Sequence, residues 1–481
     1  MDKDVTSSSP FALHPSPFEL GPYPAYQDAG VPWLGDVPAH WEVLPGRACY
    51  HEKKVPNKGL KEKTVLSLSY GQIVIKPPEK LHGLVPASFE TYQIIDPGDI
   101  IIRPTDLQND WNSLRFGLSH HRGIITSAYM CFHTQDALTR EYGHLLLHTY
   151  DLMKLFYGLG SGLRQNLSWE DFKYLPCLAP PLPEQRAIAA FLTHIDRVTR
   201  RTIRAQQRLI ELLKEQKQAL IQQAVTRGLD LDAPLKESGI AWLGEIPAHW
   251  EVASLKHLSS ITTGNTPPKQ DTDNYVNGEI VWVKPDDLMG TKPISDSKEK
   301  LTKLGAALAR VVPKGSALVC CIGTIGKIGV AGVPLATNQQ INAVIFDNPS
   351  EWLPEYGLYA LMASERELQR QANNVVISIL NKTGLSSAAY PIPHLSEQCA
   401  IATYLDEQAN SIDAAIDHTQ RRIDLIREYR TRLIADVVTG KLDVRDVPLP
   451  TAASGDDLDT LEDDATLEDF ADMEFQEETD E

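Results

Sequence analysis

The stretch WLGDVPAHWEV occupies Trp33–Val43, and WLGEIPAHWEV occupies Trp242–Val252, 209 residues further along the chain. Nine of the eleven positions are identical and each copy carries two tryptophans, so coincidence is a poor explanation. A phrase repeated at this distance indicates that one architectural unit occurs twice. The sequence therefore predicts two related halves.

Each half also ends in a related segment. LPEQRAIAAFL starts at Leu182 and LSEQCAIATYL at Leu395, and the offset of 213 residues holds without a gap through the VTRGLDL and VTGKLDV that close the two copies. Residues 184–225 and 397–438 contain neither Gly nor Pro, and their apolar residues recur at steps of three and four. This pattern predicts two long amphipathic helices, each on the order of 60 Å in length.

A helix of this length with an apolar stripe needs a packing partner, and the nearest candidate is its own copy. We expect the two helices to pair as an antiparallel coiled coil with pseudo-twofold symmetry. If paired residue numbers sum to about 621, Arg197, Arg204 and Arg208 face Asp424, Asp417 and Asp413, although the same charges also suit a solvated helix face. The apolar residues expected between the helices are Ile188, Leu192, Ile203, Ile210, Leu213, Leu220, Ile401, Leu405, Ile416, Ile423, Ile426 and Leu433.

The two variable segments, roughly residues 44–178 and 253–391, share little sequence. In the first, the turn DPGD leads into Ile100–Ile102, and in the second PKG precedes ALVCCIG, which are turn-to-strand patterns. Residues 279–283 indicate a further strand. The predicted fold class is α+β, with two tandem mixed globules that are each followed by a long helix.

The net charge, the cysteine spacing and the apolar content limit the classes of protein to which the chain can belong. The net charge is −18, but residues 455–481 hold 14 acidic and no basic residues, so the rest of the chain carries about −4 and nucleic-acid binding stays open. The six cysteines form no CxxC pair, which favours reduced thiols. No apolar run is long enough for a membrane span and no signal peptide is evident, so we expect a cytoplasmic protein.

The sequence contains only weak matches to catalytic motifs. Gly323–Lys327 reads GTIGK but lacks the spacing and hydroxyl of a phosphate-binding loop. Asp286, Asp296 and Lys298 fit the loose PD…(D/E)xK pattern of magnesium-dependent nucleases, in which paired carboxylates hold the metal. Short patterns of this kind arise often by chance. A self-sufficient nuclease and a scaffold that joins only proteins are therefore kept as alternatives to a non-catalytic DNA-binding protein.

Taken together, the WLG(D/E)xPxHWE openings, the (P/S)EQxAIAxxL helix starts and the VTxG-like ends resemble the DNA-specificity subunit of type I restriction–modification enzymes. In the second variable segment ITTGNTPP (261–268), WVKPDDL (282–288), GTIGK and TNQQI (337–341) are similar to recurring phrases of that family. The first segment keeps PGDI (97–100) and GLRQNL (162–167) but lacks the ITxGxTP and GTxGK phrases. It resembles a different recognition-domain subtype.

The resemblance implies that each variable globule reads half of a split site on double-stranded DNA. The domain boundaries expected on this basis are a disordered N-terminus at 1–30, recognition domain 1 at 31–178, spacer helix 1 at 179–232, recognition domain 2 at 233–392, spacer helix 2 at 393–446 and a disordered acidic tail at 447–481. It also implies that the helices dock two methyltransferase subunits, with motor/endonuclease subunits joining through the complex. No cofactor is expected in this chain, since S-adenosylmethionine, ATP and magnesium would act in the partner subunits.

Residues that suit DNA contacts are Lys and Arg for phosphates, and Arg, Asn, Gln, Asp and Glu for base edges. For any single position, a solvated or structural polar role is the better explanation, but as a set these residues should be enriched in DNA contacts. The first globule offers Arg103, Asp106, Gln108, Asn109, Asn112, Arg115, His120, His121 and Arg122. The second offers Thr266, Lys269, Lys284, Asp286, Asp287, Lys327, Asn338, Gln339 and Gln340.

Overall fold

The computed structural model describes residues 20–69, 71–77, 88–111, 113–160, 165–374 and 378–449. Contacts divide the chain into two compact units. Unit 1 takes the chain up to Arg204 together with the part from Ile423, and unit 2 is Ala205–Arg422. Most of the segments predicted to be disordered, and the candidate Asn112, lie outside the described residues.

Unit 1 is built around a four-stranded antiparallel sheet with the strand order β4-β11-β8-β9, on which α2 packs. Its strands are β1 (Tyr26–Asp28), β2 (Asp36–Pro38), β3 (Glu42–Pro45), β4 (Tyr50–Glu52), β5 (Leu66–Ser69), β6 (Gln72–Ile75), β7 (Gln93–Ile95), β8 (Ile100–Ile102), β9 (Phe116–Leu118), β10 (Gly123–Ile125), β11 (Met130–Thr134) and β12 (Pro176–Ala179). Its helices are α1 (Gly46–Cys49), α2 (Arg140–Leu152), α3 (Trp169–Phe172), the start of α4 (Leu182–Arg227) and the end of α10 (Leu395–Val438).

Unit 2 contains a five-stranded sheet with the order β16-β23-β20-β21-β18 and a smaller sheet with the order β19-β17-β22. Its strands are β13 (Leu235–Glu237), β14 (Glu245–Pro247), β15 (Glu251–Ser254), β16 (Ser260–Thr263), β17 (Ile280–Val283), β18 (Pro293–Ile294), β19 (Lys300–Leu301), β20 (Ala317–Cys320), β21 (Ile328–Ala331), β22 (Ala336–Thr337), β23 (Ile341–Ile345), β24 (Asn373–Asn374), β25 (Ser378–Ile379) and β26 (Ala389–Ile392). Besides the end of α4 and the start of α10, its helices are α5 (Leu255–Leu258), α6 (Lys303–Ala309), α7 (Pro354–Ala363), α8 (Glu365–Gln371) and α9 (Lys382–Ser387).

The repeated opening phrase forms the same local structure in each unit. A small hairpin, β1–β2 in unit 1 and β13–β14 in unit 2, precedes a strand that pairs antiparallel with the last strand before the long helix. These closing pairs are β3 with β12 and β15 with β26. The predicted α+β class, the strands at 100–102, 280–283 and 317–320, and the two long helices are confirmed.

The His-Trp pair of each opening phrase contacts the glutamate of the following helix motif. In unit 1 the Glu184 carboxylate accepts from Trp41 Nε1 at 2.9 Å and lies 2.7 Å from His40 Nε2. In unit 2 the Glu397 carboxylate accepts from Trp250 Nε1 at 3.4 Å and lies 2.9 Å from the preceding histidine. Because the side chain of Glu184 is 4% exposed and that of Glu397 is 38% exposed, the first anchor is the more buried of the two.

The neighbouring glutamine of the EQ motif is a second anchor. Gln185 is fully buried, donates to the carbonyls of Ala137 and Pro180, both at 2.8 Å, and accepts from the backbone N–H of Thr139. Gln398 makes the matching set with Glu351, Pro393 and Leu353. The motif is therefore repeated because each long helix must be fastened to its own globule by buried polar contacts.

The ends of the long helices pack under the opening phrases. In unit 1, Val437 and Val438 at the end of α10 share a core with Trp41, and in unit 2 Val225 near the end of α4 shares a core with Trp250. Glycines with left-handed backbone follow both helices, Gly440 at φ 78° and Gly228 at φ 74°. Each globule therefore packs on the first turns of its own helix and the last turns of the other.

Antiparallel pairing of α4 with α10 is present within each unit. In unit 1, Asp196 accepts from Arg430 Nε at 2.7 Å, and in unit 2, Lys217 Nζ donates to Asp413 at 2.7 Å. These pairs give sums of 626 and 630, and the predicted pairing of Arg197 with Asp424 and of Arg204 with Asp417 stays a prediction. Arg208, the predicted partner of Asp413, instead lies 3.8 Å from Glu215 on its own helix.

The apolar residues predicted for the helix interface fall into two groups by burial. Ile188, Leu192, Ile203, Ile210, Ile401, Leu405, Ile423 and Leu433 are buried. Leu213, Leu220, Ile416 and Ile426 are half-buried. Among the described residues, no helix combines the length and the apolarity that crossing a bilayer requires.

Residues 20–30 are structured, so the prediction of disorder over the whole segment 1–30 is wrong there. β1 pairs with β2 in a regular antiparallel register, Tyr23 is buried, and Gly21 forms an isolated bridge with Asp443. The physical reason is the repeat itself, because β13 precedes the second opening phrase in the same way.

Candidate nucleic-acid interface

Arg115 organises the loop between β8 and β9. Its side chain is fully buried, and it donates to the carbonyl of Thr105 at 2.7 Å and to that of Asp110 at 2.6 Å. Further bonds of 3.3 Å go to the carbonyls of Arg103 and Asp106 and to the Tyr157 hydroxyl. The prediction that Arg115 contacts DNA is therefore corrected, since the loop encloses the guanidinium that shapes it.

The exposed part of this loop carries the other candidates. Gln108 and Asn109 are exposed, and Asn109 Nδ2 donates to the Asp106 carboxylate at 2.9 Å. Asp106 has a left-handed backbone with φ 62°, which turns the chain sharply. Arg103 lies 3.2 Å from Asp110, with 36% of its side chain exposed. The loop thus presents amide and guanidinium groups of the kind that contact base edges and phosphates.

Trp111 lies in the same loop and was not among the residues predicted to contact DNA. It is 53% exposed, and its ring stacks on Tyr157 with the centroids 4.5 Å apart. Lys154 Nζ lies 4.8 Å from the centroid of the Tyr157 ring and donates to the Trp111 carbonyl. An exposed, supported aromatic ring beside cations suits contact with bases or sugars. The available signal was a lone tryptophan within a run of Asn and Asp.

The turn between β9 and β10 carries His120, His121 and Arg122, all exposed. Arg122 pairs with Asp96 and lies 3.5 Å from Glu62, so its charge is partly compensated. These three residues stand on a short connection from β9, which pairs with β8, to β10, which pairs with β7, so both ends of the connection are held by strand pairing.

A buried charge network supports that turn. The carboxylate of Asp99 is fully enclosed, contacts Lys53 and lies 3.0 Å from His133 Nδ1. Backbone bonds then tie the Asp99 turn to Ser119, one residue before the exposed histidines. The Lys53 ammonium also holds the pKa of Asp96 below its usual range. Sequence reasoning missed this network because its members come from three distant segments.

In unit 2 the structure brings several candidates together around the end of β17 and β22. The backbone N–H of Asn338 donates to the carbonyl of Val283, the residue before Lys284, and the Thr266 hydroxyl donates to the Gln339 side chain. Backbone bonds join Gln340 to Cys321 and Lys327 to Cys320. The sequence-distant candidates Thr266, Lys284, Lys327, Gln339 and Gln340 therefore stand in one neighbourhood.

Some of the unit 2 candidates serve the fold. Asn338 is only 6% exposed, and its side chain accepts from the Gln340 backbone and donates to the Gln340 amide oxygen, so it is corrected from a base contact to a turn-forming residue. Asp287 caps the short turn after β17 by accepting from Lys284 N at 2.8 Å. The Lys284 ammonium contacts Glu299 and lies 5.1 Å from the Trp282 ring centroid. Lys269, Asp286 and Gln339 are exposed.

The nuclease pattern gains no support from the geometry. Asp296 is an exposed residue that lies 2.9 Å from Lys300, and Asp286 is exposed at the start of a different turn. Within the part of the chain that the structure describes, no three His, Cys, Asp or Glu side chains are grouped so that they could hold a metal ion. A magnesium-dependent site needs such a carboxylate group.

Comparison with known proteins gives a consistent result. Residues 247–425 match the family model described as the type I restriction modification DNA specificity domain. The type I restriction enzyme MjaVIII specificity subunit of Methanocaldococcus jannaschii is 25% identical over 374 residues, which cover 73% of this chain and 82% of that protein. The HindI specificity subunit of Haemophilus influenzae is 32% identical over 105 residues, 21% of this chain and 23% of that protein.

The fold also matches a solved structure. A chain from work on complex assembly and conformational transition of a type I R-M system superimposes with a TM-score of 0.59 at 15% identity, covering 84% of this chain and 98% of the other. At this identity the match concerns the fold, namely two mixed globules with a long helix in each half.

Proposed function

We propose that this chain is a DNA specificity subunit of a type I restriction–modification complex and selects the DNA site for it, since residues 247–425 match the family model of that specificity domain and the MjaVIII specificity subunit is 25% identical over 374 residues. Two recognition domains, one in each unit, read the two halves of a bipartite site on double-stranded DNA. The observation that carries this proposal is the repeat of one anchoring system around two different globules: the Glu and Gln contacts recur in both units, while the sheets they support differ.

The two globules share their Glu and Gln contacts to the long helices but differ in their sheets. This suits a protein that carries two different DNA-recognition domains on one pair of helices. α4 is 46 residues long, which corresponds to roughly 65–70 Å of helix. Duplex DNA repeats about every 34–36 Å, so a spacer of this length suits two half-sites one or two turns apart. The bases between the half-sites would be unread.

The residues proposed to meet the DNA are the exposed and partly exposed polar groups of two regions. In unit 1 these are Arg103, Gln108 and Asn109, with Trp111 beside them and the turn 120–122 nearby. In unit 2 they lie around Thr266, Lys327 and Gln339. Lysines and arginines would position the phosphates, and the amide side chains would read base edges.

We further propose that the chain has no catalytic role of its own. The methyltransferase subunits, docked on α4 and α10, would supply S-adenosylmethionine chemistry, and motor/endonuclease subunits would use ATP and magnesium. This chain would contribute the selection of the DNA site.

Binding by the assembled complex tests the proposal. The chain together with its methyltransferase subunits is titrated with fluorescent duplexes by anisotropy at 50 and 200 mM salt. We expect tight binding to one split site and binding to other sequences that weakens steeply with salt. Equal affinity for all duplexes would contradict it, and so would cleavage of DNA by the purified chain with magnesium alone.

A further inference from the structure

An open groove of about 430 Å³ lies in unit 1 where the described chain ends. Its floor is formed by Ala189 and Ala190 on α4, and Leu449, the last described residue, lines it directly. Leu449 also packs against the core of unit 1, so the chain leaves the fold from a fixed point on this groove. The residues after Leu449 therefore start beside this groove.

The groove is basic on the α4 side. Arg186, His194 and Arg197 line it, and Arg197 Nη2 lies 3.5 Å from His194 Nδ1. Glu141, at the start of α2, is the acidic residue among the lining groups. Two guanidinium groups and a histidine around a floor of small side chains suit an extended acidic segment that also carries apolar residues.

The chain beyond Leu449 has this composition. Residues 455–481 contain 14 acidic residues and no basic one, and apolar residues are interspersed among them: Leu458, Leu461, Leu467, Phe470, Met473 and Phe475. Asp456, the first acid, is seven residues from Leu449, so it lies at most about 25 Å from the groove. A tether this short raises the local concentration of the tail to about the millimolar range.

The internal repeat supplies a comparison site. An offset of 213 residues maps the α4 side of the groove onto α10, where the equivalents of Arg186, Thr193, His194 and Arg197 are Cys399, Asp406, Glu407 and Asn410. These equivalents are exposed, but they carry no cation and two acids. The basic chemistry is therefore present only on the copy of the helix beside which the acidic tail begins.

We propose that the acidic tail, residues 455–481, docks on this groove of its own chain and covers the outer face of the first turns of α4. This inference goes beyond the proposed function and does not depend on it. If α4 and α10 do receive partner subunits, the tail makes the two receiving faces unequal. Since the attraction is between exposed charges, docking weakens as salt shortens the range of the charges.

Photo-cross-linking in the full chain tests the proposal. Benzoylphenylalanine replaces exposed Ala190 in the groove, and in a matched control it replaces exposed Thr403, the equivalent position on α10. After irradiation at low protein concentration and 50 mM salt, mass spectrometry identifies the linked peptides. We expect tail peptides on the Ala190 probe at least tenfold more often than on the Thr403 probe, with most of the signal lost at 0.5 M salt.

Charge reversal provides the second arm. Arg186→Glu with Arg197→Glu should remove the Ala190 link to the tail, whereas Arg432→Glu, at a side chain 81% exposed on α10, should leave it intact. Equal linking by both probes would overturn the proposal, and so would links that survive the double reversal. Links between differently isotope-labelled chains would assign the groove to a second copy and overturn it as well. None of these outcomes bears on DNA binding, so the proposed function is tested separately.

Discussion

Replacing Arg115 by Met separates a residue that shapes the recognition loop from one that reads DNA. The change keeps a long apolar side chain but removes five hydrogen bonds to mostly part-buried acceptors, two of them at 2.6 and 2.7 Å. Charge-assisted bonds contribute about 1.5–3 kcal/mol each, and orphaned buried carbonyls cost about 1–3 kcal/mol each. Part of this loss is offset because the guanidinium no longer has to be desolvated. We expect a net loss of about 3–5 kcal/mol.

Thermal unfolding followed by circular dichroism measures the effect. For a unit of this size a loss of 1 kcal/mol lowers Tm by about 2–4 °C, so Arg115→Met should lower it by about 6–20 °C. Amide exchange of residues 103–111 should accelerate together with the loss of stability. Arg103→Met is the matched control, because its 3.2 Å ion pair with Asp110 is partly exposed and should contribute no more than about 1 kcal/mol.

The two variants should also differ in DNA binding. Arg103→Met should weaken binding to the specific site without unfolding the loop, whereas Arg115→Met should affect binding only through the disordered loop. If Arg115→Met kept the wild-type Tm and exchange rates while one position of the DNA site became relaxed, the assignment of Arg115 as a loop-shaping residue would be refuted.

Three further predictions concern anchors and buried charge. Burial raises the pKa of Asp151 to about 6 from 3.8, so the folded state holds this proton more tightly and stability should fall as pH rises from about 4 through 6. Asp151→Asn keeps an acceptor for the Arg115 backbone N–H and should remove about 2 kcal/mol of that dependence between pH 4.5 and 7.5 in urea titrations, and unchanged pH profiles would count against it. Glu184→Ala should cost about 2–3 kcal/mol and Glu397→Ala about 1 kcal/mol, because only the first carboxylate is buried, so equal losses in chemical denaturation would contradict the burial argument. Gly440→Ala should lower Tm more than Gly228→Ala, although both glycines have positive φ. A Cβ at residue 440 would lie 2.4 Å from Pro38, whereas a Cβ at residue 228 would lie 3.1 Å from Trp250, so the reverse order of Tm values would refute the prediction.

The sequence predicted those parts of the fold that have a local cause. The two long helices follow from 42-residue runs without Gly or Pro, and the structure extends them by a few residues at their ends. The glutamate and glutamine anchors were within the repeated phrases, but the glutamates bond to the opening phrase more than a hundred residues earlier, and the glutamines bond to backbone groups outside the opening phrases. Their pairing required the three-dimensional structure.

Helix register and side-chain roles were harder to predict for a physical reason. Surface charges recur every few residues along α4 and α10, so several registers give plausible pairs and the charge pattern alone does not select one of them. Arginine is a residue type that commonly contacts DNA, but the burial of Arg115 depends on Asp151 and Tyr157, which come from later segments. The identity of a polar residue therefore did not predict whether its side chain is exposed or enclosed by the loop.

The most direct test of two independent recognition domains is methylome sequencing of a host that carries this chain and its methyltransferase subunits. We expect a split motif that disappears without the chain. Variants at Arg103 or Gln108 should alter only one half of that motif, and variants at Lys327 or Gln339 only the other half. A continuous motif, or variants in one unit that change both halves together, would contradict the account.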